Sequence, residues 1–211
     1  MNNNLKQVLS NYSNICFYTT NDINVKTNCL NFYNTKEFYR DKTYYEIMSV
    51  NTLKNNPNLF YSFIKEKGNL TELIPNNIHK FIAQCQQDHN ISVITENIDS
   101  LHFQAGTIDV IELFGSIKKC YCQNCLEEHP FGNLVYNNIL PKCSCGGLIR
   151  PDCLLIGENI NGNSLISAFF TLKNADKIIV MGKSYFPKIY NQLFKDIDDN
   201  KIIHIEIIEF L

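Results

Sequence analysis

The stretch ISVITENIDSLHFQAGTIDVIELFGSIKKCYCQNC (91–125) holds two short apolar runs, ISVIT at 91–95 and DVIEL at 109–113, and then three cysteines within six positions. β-Branched runs of this length suit strands buried on both faces. The cysteines, Cys120, Cys122 and Cys125, call for a separate explanation.

Similar signals lie on either side. Upstream, ICFY (15–18) reads as a strand, and PNLFYSFIKEK (57–67), opening on Pro, as a helix. In NNIHKFIAQCQQD (76–88), Ile78, Phe81, Ile82 and Cys85 follow the i, i+3, i+4, i+7 spacing of one helix face. Downstream, CLLI (153–156) reads as a strand, SLISAFFTLKN (164–174) as a helix and KIIVMG (177–182) as a strand stopped by glycine. KIYNQLFKDI (188–197) follows as a helix and KIIHIEII (201–208) as a last strand. Short strands alternating with helices predict an α/β fold, a mostly parallel sheet covered by helices on both faces. The length of 211 residues suits a single domain over 1–211. Residues 117–150 break the alternation; they have too few periodic apolar positions for a core of their own and read as a small module in need of a staple.

Composition narrows the function. A formal charge of −2 gives no basic footprint for nucleic acid or an anionic membrane. No window reaches eighteen uninterrupted apolar residues, so no membrane span is expected. The start, MNNNLKQVLSNYSN, lacks the regions of a signal peptide. The expected location is cytoplasmic, where thiols stay reduced. Of nine cysteines, Cys16, Cys29, Cys85 and Cys153 sit in apolar surroundings and read as small core residues.

The other five form a metal pattern. Cys122-x-x-Cys125 and Cys143-x-Cys145, seventeen residues apart, can bring four thiolates tetrahedrally onto one zinc ion. The second pair is one residue tighter than usual, and Gly146 and Gly147 supply backbone freedom beside it. Cys120 and His129 are candidate substitutes. Four thiolates leave no open position for water, so one such ion is structural rather than catalytic.

Three segments together resemble the sirtuins, the NAD-dependent protein deacylases. ITENIDSLHFQAG (94–106) is similar to their TQNIDGLHQRAG signature. IELFGSIKKCYC (111–122) resembles their ELHG segment and first zinc cysteine, and PKCSCGGLIRPDCLLIGE (141–158) the second zinc pair followed by GGxLRPxVVWFGE. PNNIHK (75–80) and ADKIIVMGKS (175–184) are weaker matches. The resemblance implies a Rossmann-like nucleotide-binding lobe and a small zinc lobe, with NAD and an acylated lysine as reactants. It implies that Phe32, Glu96, Asn97, Asp99, Gly182 and Ser184 fall at cofactor-contacting positions, and that Asn97 and Asp99 are what remains of the catalytic set. It also implies that the 153–157 run matches the strand that pairs with substrate peptide.

The chain departs from that pattern where the chemistry is done. Phe114 stands where the family carries its catalytic His, and a phenyl ring has no lone pair to accept a proton. Thr20-Asn21-Asp22 stands where the family places Gly-Ala-Gly for close approach to phosphate. The family PDFR reads Leu30-Asn31-Phe32-Tyr33, its Gln before Asn-Ile-Asp is Glu96, and its GTS is Gly182-Lys183-Ser184. These changes argue against NAD and against deacylation. The leading expectation is a sirtuin-fold pseudoenzyme that binds peptide or protein along 153–157. The alternatives are an active NAD-consuming enzyme with altered chemistry, a weak deacylase or ADP-ribosyl transferase, and a scaffold built on the zinc lobe. His102 is the nearest titratable ring, but its family equivalent lies outside the chemistry.

Overall fold

In the computed structural model, residues 3–27, 29, 31–67, 73–130, 132 and 140–207 are described. Leu30, Ile208 and, within the 117–150 block, residues 131 and 133–139 lie outside that set. The chain opens with α1 (Asn3–Leu9), β1 (Asn14–Thr19) and a 3₁₀ turn (Asn21–Ile23). It continues through β2 (Phe38–Tyr39), β3 (Lys42–Thr43), α2 (Tyr44–Ile47), α3 (Val50–Asn55), α4 (Pro57–Lys67) and α5 (Asn77–Cys85). Then come β4 (Asn90–Thr95), α6 (Leu101–Gln104), β5 (Asp109–Glu112), β6 (Gly115–Cys122), β7 (Glu128–Pro130) and β8 (Ile149–Cys153). The last elements are α7 (Gly162–Asn174), β9 (Lys177–Met181), α8 (Pro187–Phe194) and β10 (Ile202–Ile205).

The described residues divide into two units. The first, Met1–Thr27, Ile74–Phe114 and Ile160–Leu211, holds a five-stranded sheet in the order β10-β9-β1-β4-β5. Every pairing in it is parallel. Side chains alternate across the sheet. Ile15, Phe17, Val93, Ile179 and Met181 face α1 and α5 in one core. On the other face Tyr18 meets Tyr190 and Phe194 of α8, with ring centroids 5.5 and 5.2 Å away. The expected parallel sheet with helices on both faces is therefore present.

Helix α5 buries Ile78, Phe81, Ile82 and Cys85, the face read from the sequence. It starts one residue later and ends three earlier than the 76–88 pattern. Asn76 is its cap, its Oδ1 accepting from the N–H groups of Ile78 and His79 at 3.0 and 3.2 Å. The Asn76 amide also donates to the carbonyls of Ile23 and Val25, at 2.6 and 2.9 Å, which ties the loop after β1 to this helix.

The second unit, Asn28–Leu73 and Gly115–Asn159, joins α2–α4 to a three-stranded antiparallel sheet, β7-β6-β8. Phe63 of α4 packs against Phe32, Tyr39 and Tyr44 at centroid distances of 6.1, 5.5 and 4.8 Å. Here the sequence reading needs a correction. CLLI (153–156) is not a strand of the parallel sheet: Cys153 ends β8, opposite Gly115 of β6, and Ile156 makes only a single parallel bridge to Ser49. A short apolar run records burial and not which sheet it joins. Among the described residues no helix is long and apolar enough to cross a membrane. Cys16, Cys85 and Cys153 are buried, as expected of core cysteines, while Cys29 is half-buried.

Two buried histidines lie under the site-bearing loops. The rings of His79 and His102 are 4.8 Å apart, and His102 Nε2 is 3.0 Å from Thr19 Oγ1. Burial pushes His102 well below its ordinary value, with His79 adding to the effect. Burial likewise lowers His79 from 6.5 to about 4, against the opposing pull of Asp99. The folded chain keeps His79 neutral, whereas the unfolded chain protonates it below pH 6.5. This contribution is complete above pH 6.5 and is lost as pH falls toward 4. Relative to His79→Gln, the native chain should lose on the order of 3 kcal/mol more stability between those limits. Urea denaturation followed by circular dichroism checks this; parallel pH profiles for the two proteins would contradict it.

Candidate functional site

In a parallel sheet the crevice outside the carboxyl ends of the strands, where the strand order reverses, is the expected place for a ligand. That point here is the end of β1, flanked by β9 and β4. Four main-chain donors at this point are used internally. Thr20 N–H donates to the Met181 carbonyl at 3.2 Å, and Ile23 N–H to the Thr20 carbonyl at 3.2 Å. Asp22 N–H donates to Thr20 Oγ1 at 3.4 Å. Lys183 N–H, after β9, donates to Asp22 Oδ2 at 2.8 Å. The two loops thus close on each other through a carboxylate. Gly182 is required at this seam: its φ is +93°, and a Cβ would sit 2.7 Å from Asp22 Cβ and run into Thr20 Oγ1.

The β4 loop completes the arrangement. Asn97 is buried, and its amide donates to the Thr20 carbonyl at 3.2 Å. Asp99 is buried as well; Oδ1 accepts from Leu101 N–H at 2.8 Å to cap α6, and Oδ2 accepts from the Asn24 amide at 2.7 Å. Glu96 accepts from the Tyr18 hydroxyl at 2.7 Å and from Tyr185 N–H at 3.3 Å. Burial raises the Glu96 carboxyl above its ordinary value; hydrogen bonds from Ser184, Tyr18 and Tyr185 oppose this, and the Asp22 charge adds to it. The Ser184 hydroxyl accepts from Phe186 N–H at 3.0 Å. Phe114 is 1% exposed and packs edge-on against Phe186, with centroids 4.5 Å apart.

Glu96, Asn97, Asp99, Phe114, Gly182 and Ser184 therefore all belong to the first unit, around the ends of β1, β4, β5 and β9. Phe32 belongs to the second unit, buried against Phe63. His102 is buried in α6. Sequence reasoning missed Tyr18, Asn24 and Phe186. Only the Phe186-Pro187 step before a helical pattern signalled the last of them.

The second unit carries the metal set. Cys122 ends β6, Cys125 follows in the turn, and Cys143 and Cys145 precede β8. Their sulfurs lie within 4.8 Å of one another. Separations are 3.4 Å for Cys122–Cys145, 3.6 Å for Cys125–Cys143 and 3.5 Å for Cys125–Cys145. A tetrahedron with bonds of about 2.3 Å has edges of about 3.8 Å, so the set fits one zinc ion. The N–H of Cys125, joined by that of Asn124, holds the Cys122 thiol down to about 7, and the N–H of Cys145 lowers Cys143. Both favour the thiolate a metal needs. Cys120 is outside the cluster; burial pushes its thiol up to about 12. The 153–157 run spends much of its main chain internally. Leu154 O accepts from Tyr33 Oη at 2.7 Å, Leu155 N–H donates to Glu158, and Ile156 pairs with Met48 and Val50.

The family model described as the Sir2 family matches residues 28–187. The chain belongs to the Sir2 family. An NAD-dependent protein deacetylase of Listeria innocua serovar 6a is 32% identical over 184 residues, covering 87% of this sirtuin and 80% of the relative. One from Staphylococcus epidermidis is 31% identical over 186 residues, covering 85% and 76%. A structure solved in work on sirtuin substrate affinity superposes with a TM-score of 0.84 at 25% identity, covering 98% of this chain and 88% of the other. A Sir2–p53 peptide–NAD+ complex shares the fold, with a TM-score of 0.79 at 24% identity and coverage of 100% and 95%.

In this sirtuin Gly147 is the tightest point beside the four-cysteine cluster. A Cβ there would lie 2.6 Å from Cys122 Sγ and 2.8 Å from the Asn124 side chain. Gly147→Ala should weaken zinc binding roughly 10- to 100-fold, as disturbed outer contacts of a metal site typically do. Competition with a chromogenic chelator measures it, and unchanged affinity would contradict the geometry.

Proposed function

We propose that this member of the Sir2 family is a pseudoenzyme: a single sirtuin-type domain that has lost NAD-dependent deacylation and serves as a peptide- or protein-binding module. The observation that carries the reading is the Asp22–Lys183 closure. Pyrophosphate binding at a strand-to-helix crevice relies on free main-chain N–H groups and on glycines that let phosphate approach. Here the N–H groups of Thr20, Asp22, Ile23 and Lys183 already have acceptors. The Asp22 carboxylate takes the Lys183 N–H, and Glu96 is a second carboxyl near enough to feel its charge. NAD would have to break these bonds and meet like charge.

Phe114 supports the same reading. Removing a positioned general base costs on the order of 10² to 10⁴ in rate, or about 3 to 5 kcal/mol of barrier. Asn97 and Asp99, the family remnants, hold the β1 loop and cap α6, roles that stand without any cofactor. The 117–150 block acts as a structural zinc module through Cys122, Cys125, Cys143 and Cys145. A partner at 153–157 would read side chains and the turn at Gly157 (φ +100°) more than a long ladder of added strand pairs.

The alternative is an active NAD-consuming sirtuin with weak deacylation or ADP-ribosyl transfer. The NAD-dependent relatives and the retained Asn97 and Asp99 favour it. Calorimetry with millimolar NAD, together with nicotinamide release on acetylated peptide, separates the two. The pseudoenzyme reading expects no binding and no release above the enzyme-free blank, for the native chain and for Phe114→His alike. Peptide-dependent release by the native chain overturns it. Recovery of release by Phe114→His alone would show that the loop is not the obstacle.

A further inference from the structure

At the end of the parallel sheet opposite the Asp22–Lys183 closure, the first residues of three neighbouring strands, Asn14 of β1, Asn90 of β4 and Asp109 of β5, meet the last turn of α7. A cleft of about 300 Å³ opens between them, with Ile15, Ile91 and Ala175 as apolar lining and Phe170 as a wall. Asp109 is the one charged side chain among its described lining residues. Its Oδ2 accepts from the Ser92 hydroxyl, and no Lys, Arg or His among the described residues pairs with it. The lysines around α7 and β9 are committed to carbonyls instead. Lys173 Nζ donates to Asp196 O and Lys177 Nζ to Asn200 O, each at 2.6 Å, and Lys201 Nζ donates to Lys173 O and Ala175 O at 3.1 and 2.8 Å.

Large apolar side chains surround the cleft. Ile108, next to Asp109 in the chain, is 83% exposed, and Phe170 is 57% exposed. Ile166 lies one turn before Phe170 on the same face of α7 and is 56% exposed. Single exposed apolar residues are ordinary, whereas three around one cleft mark an interaction surface. The chemistry selects the occupant. A carboxylate without a countercharge favours a cation, and an exposed aromatic face beside it favours a planar guanidinium, which stacks on rings as well as pairing with carboxylates. The apolar lining suits the methylene stem that carries such a group. Ile108 and Ile166 do not line the cleft, so only the apolar neighbours of that side chain in a larger ligand would cover them.

We propose that this cleft takes an arginine side chain from an apolar segment of a partner protein, with Asp109 as its charge partner and Phe170 as its stacking ring. The site does not depend on whether NAD binds. An NMR titration of the labelled full chain with the peptide acetyl-Leu-Arg-Leu-amide tests it. The amide signals of Cys16, Ser92, Asp109 and Thr171 should shift saturably, with a Kd on the order of 1 mM. The citrulline analogue, which keeps the shape and lacks the charge, should bind roughly tenfold more weakly, as should the arginine peptide to Asp109→Asn. Phe170→Ser, on an exposed face, should also weaken the peptide, and arginine amide alone should bind less tightly than the peptide. The absence of saturable shifts, equal binding of the citrulline peptide, or full affinity in Asp109→Asn overturns the proposal. Arginine amide binding as tightly as the peptide overturns the assignment to a protein segment. The peptide comparisons on the native chain stand even if a variant fails to fold.

Discussion

A parallel sheet directs the first main-chain N–H groups beyond its strands into one crevice, and those groups need acceptors. In this sirtuin the N–H groups of Thr20, Asp22, Ile23 and Lys183 find theirs inside the chain. Asp22 reaches across to the amide of Lys183, Thr20 closes its own turn, and Asn97 holds the Thr20 carbonyl from the neighbouring loop. Much else follows from that closure. Position 182 must be glycine because any side chain would strike Thr20 and Asp22. The loop after β1 is further pinned by Asn76 from α5 and by Asn24 on Asp99, so opening it would disturb several hydrogen bonds at once.

The electrostatics around the closure agree with its geometry. Glu96 is buried, takes a hydrogen bond from Tyr18, and has its carboxyl raised toward the neutral form, partly by Asp22. A buried carboxyl held by Tyr18 and Tyr185 beside a second carboxylate is a workable part of a packed interior. Phe114 belongs to the same interior, closed over by Phe186.

Part of this was legible in the residues. The runs at 15–18, 91–95, 109–113 and 177–182 became four consecutive strands of the parallel sheet because apolar runs of that length leave few other ways to be buried. The α5 face was legible because 3.6-residue periodicity has one geometric meaning. The convergence of Cys122, Cys125, Cys143 and Cys145 was legible because their spacing is itself the constraint. CLLI failed, since burial alone does not identify a partner strand. Strand β6 went unread because GSIKKCYC lacks an apolar–polar alternation, and its cysteines drew a metal reading instead. Missing glycines at 20–22 were plain to see. The replacement bond, from Asp22 to an amide 161 residues away, needed the fold, as did the meeting of Phe114 with Phe186.

The most direct measurement is an NMR titration of the labelled chain with NAD, reading the amide signals of Thr20, Asp22, Ile23 and Lys183. The closed crevice predicts that these four stay in place at millimolar nucleotide and that Lys183 remains protected from hydrogen exchange. Saturable shifts centred on them, with Lys183 released from Asp22 as nucleotide is added, would contradict the account at its root.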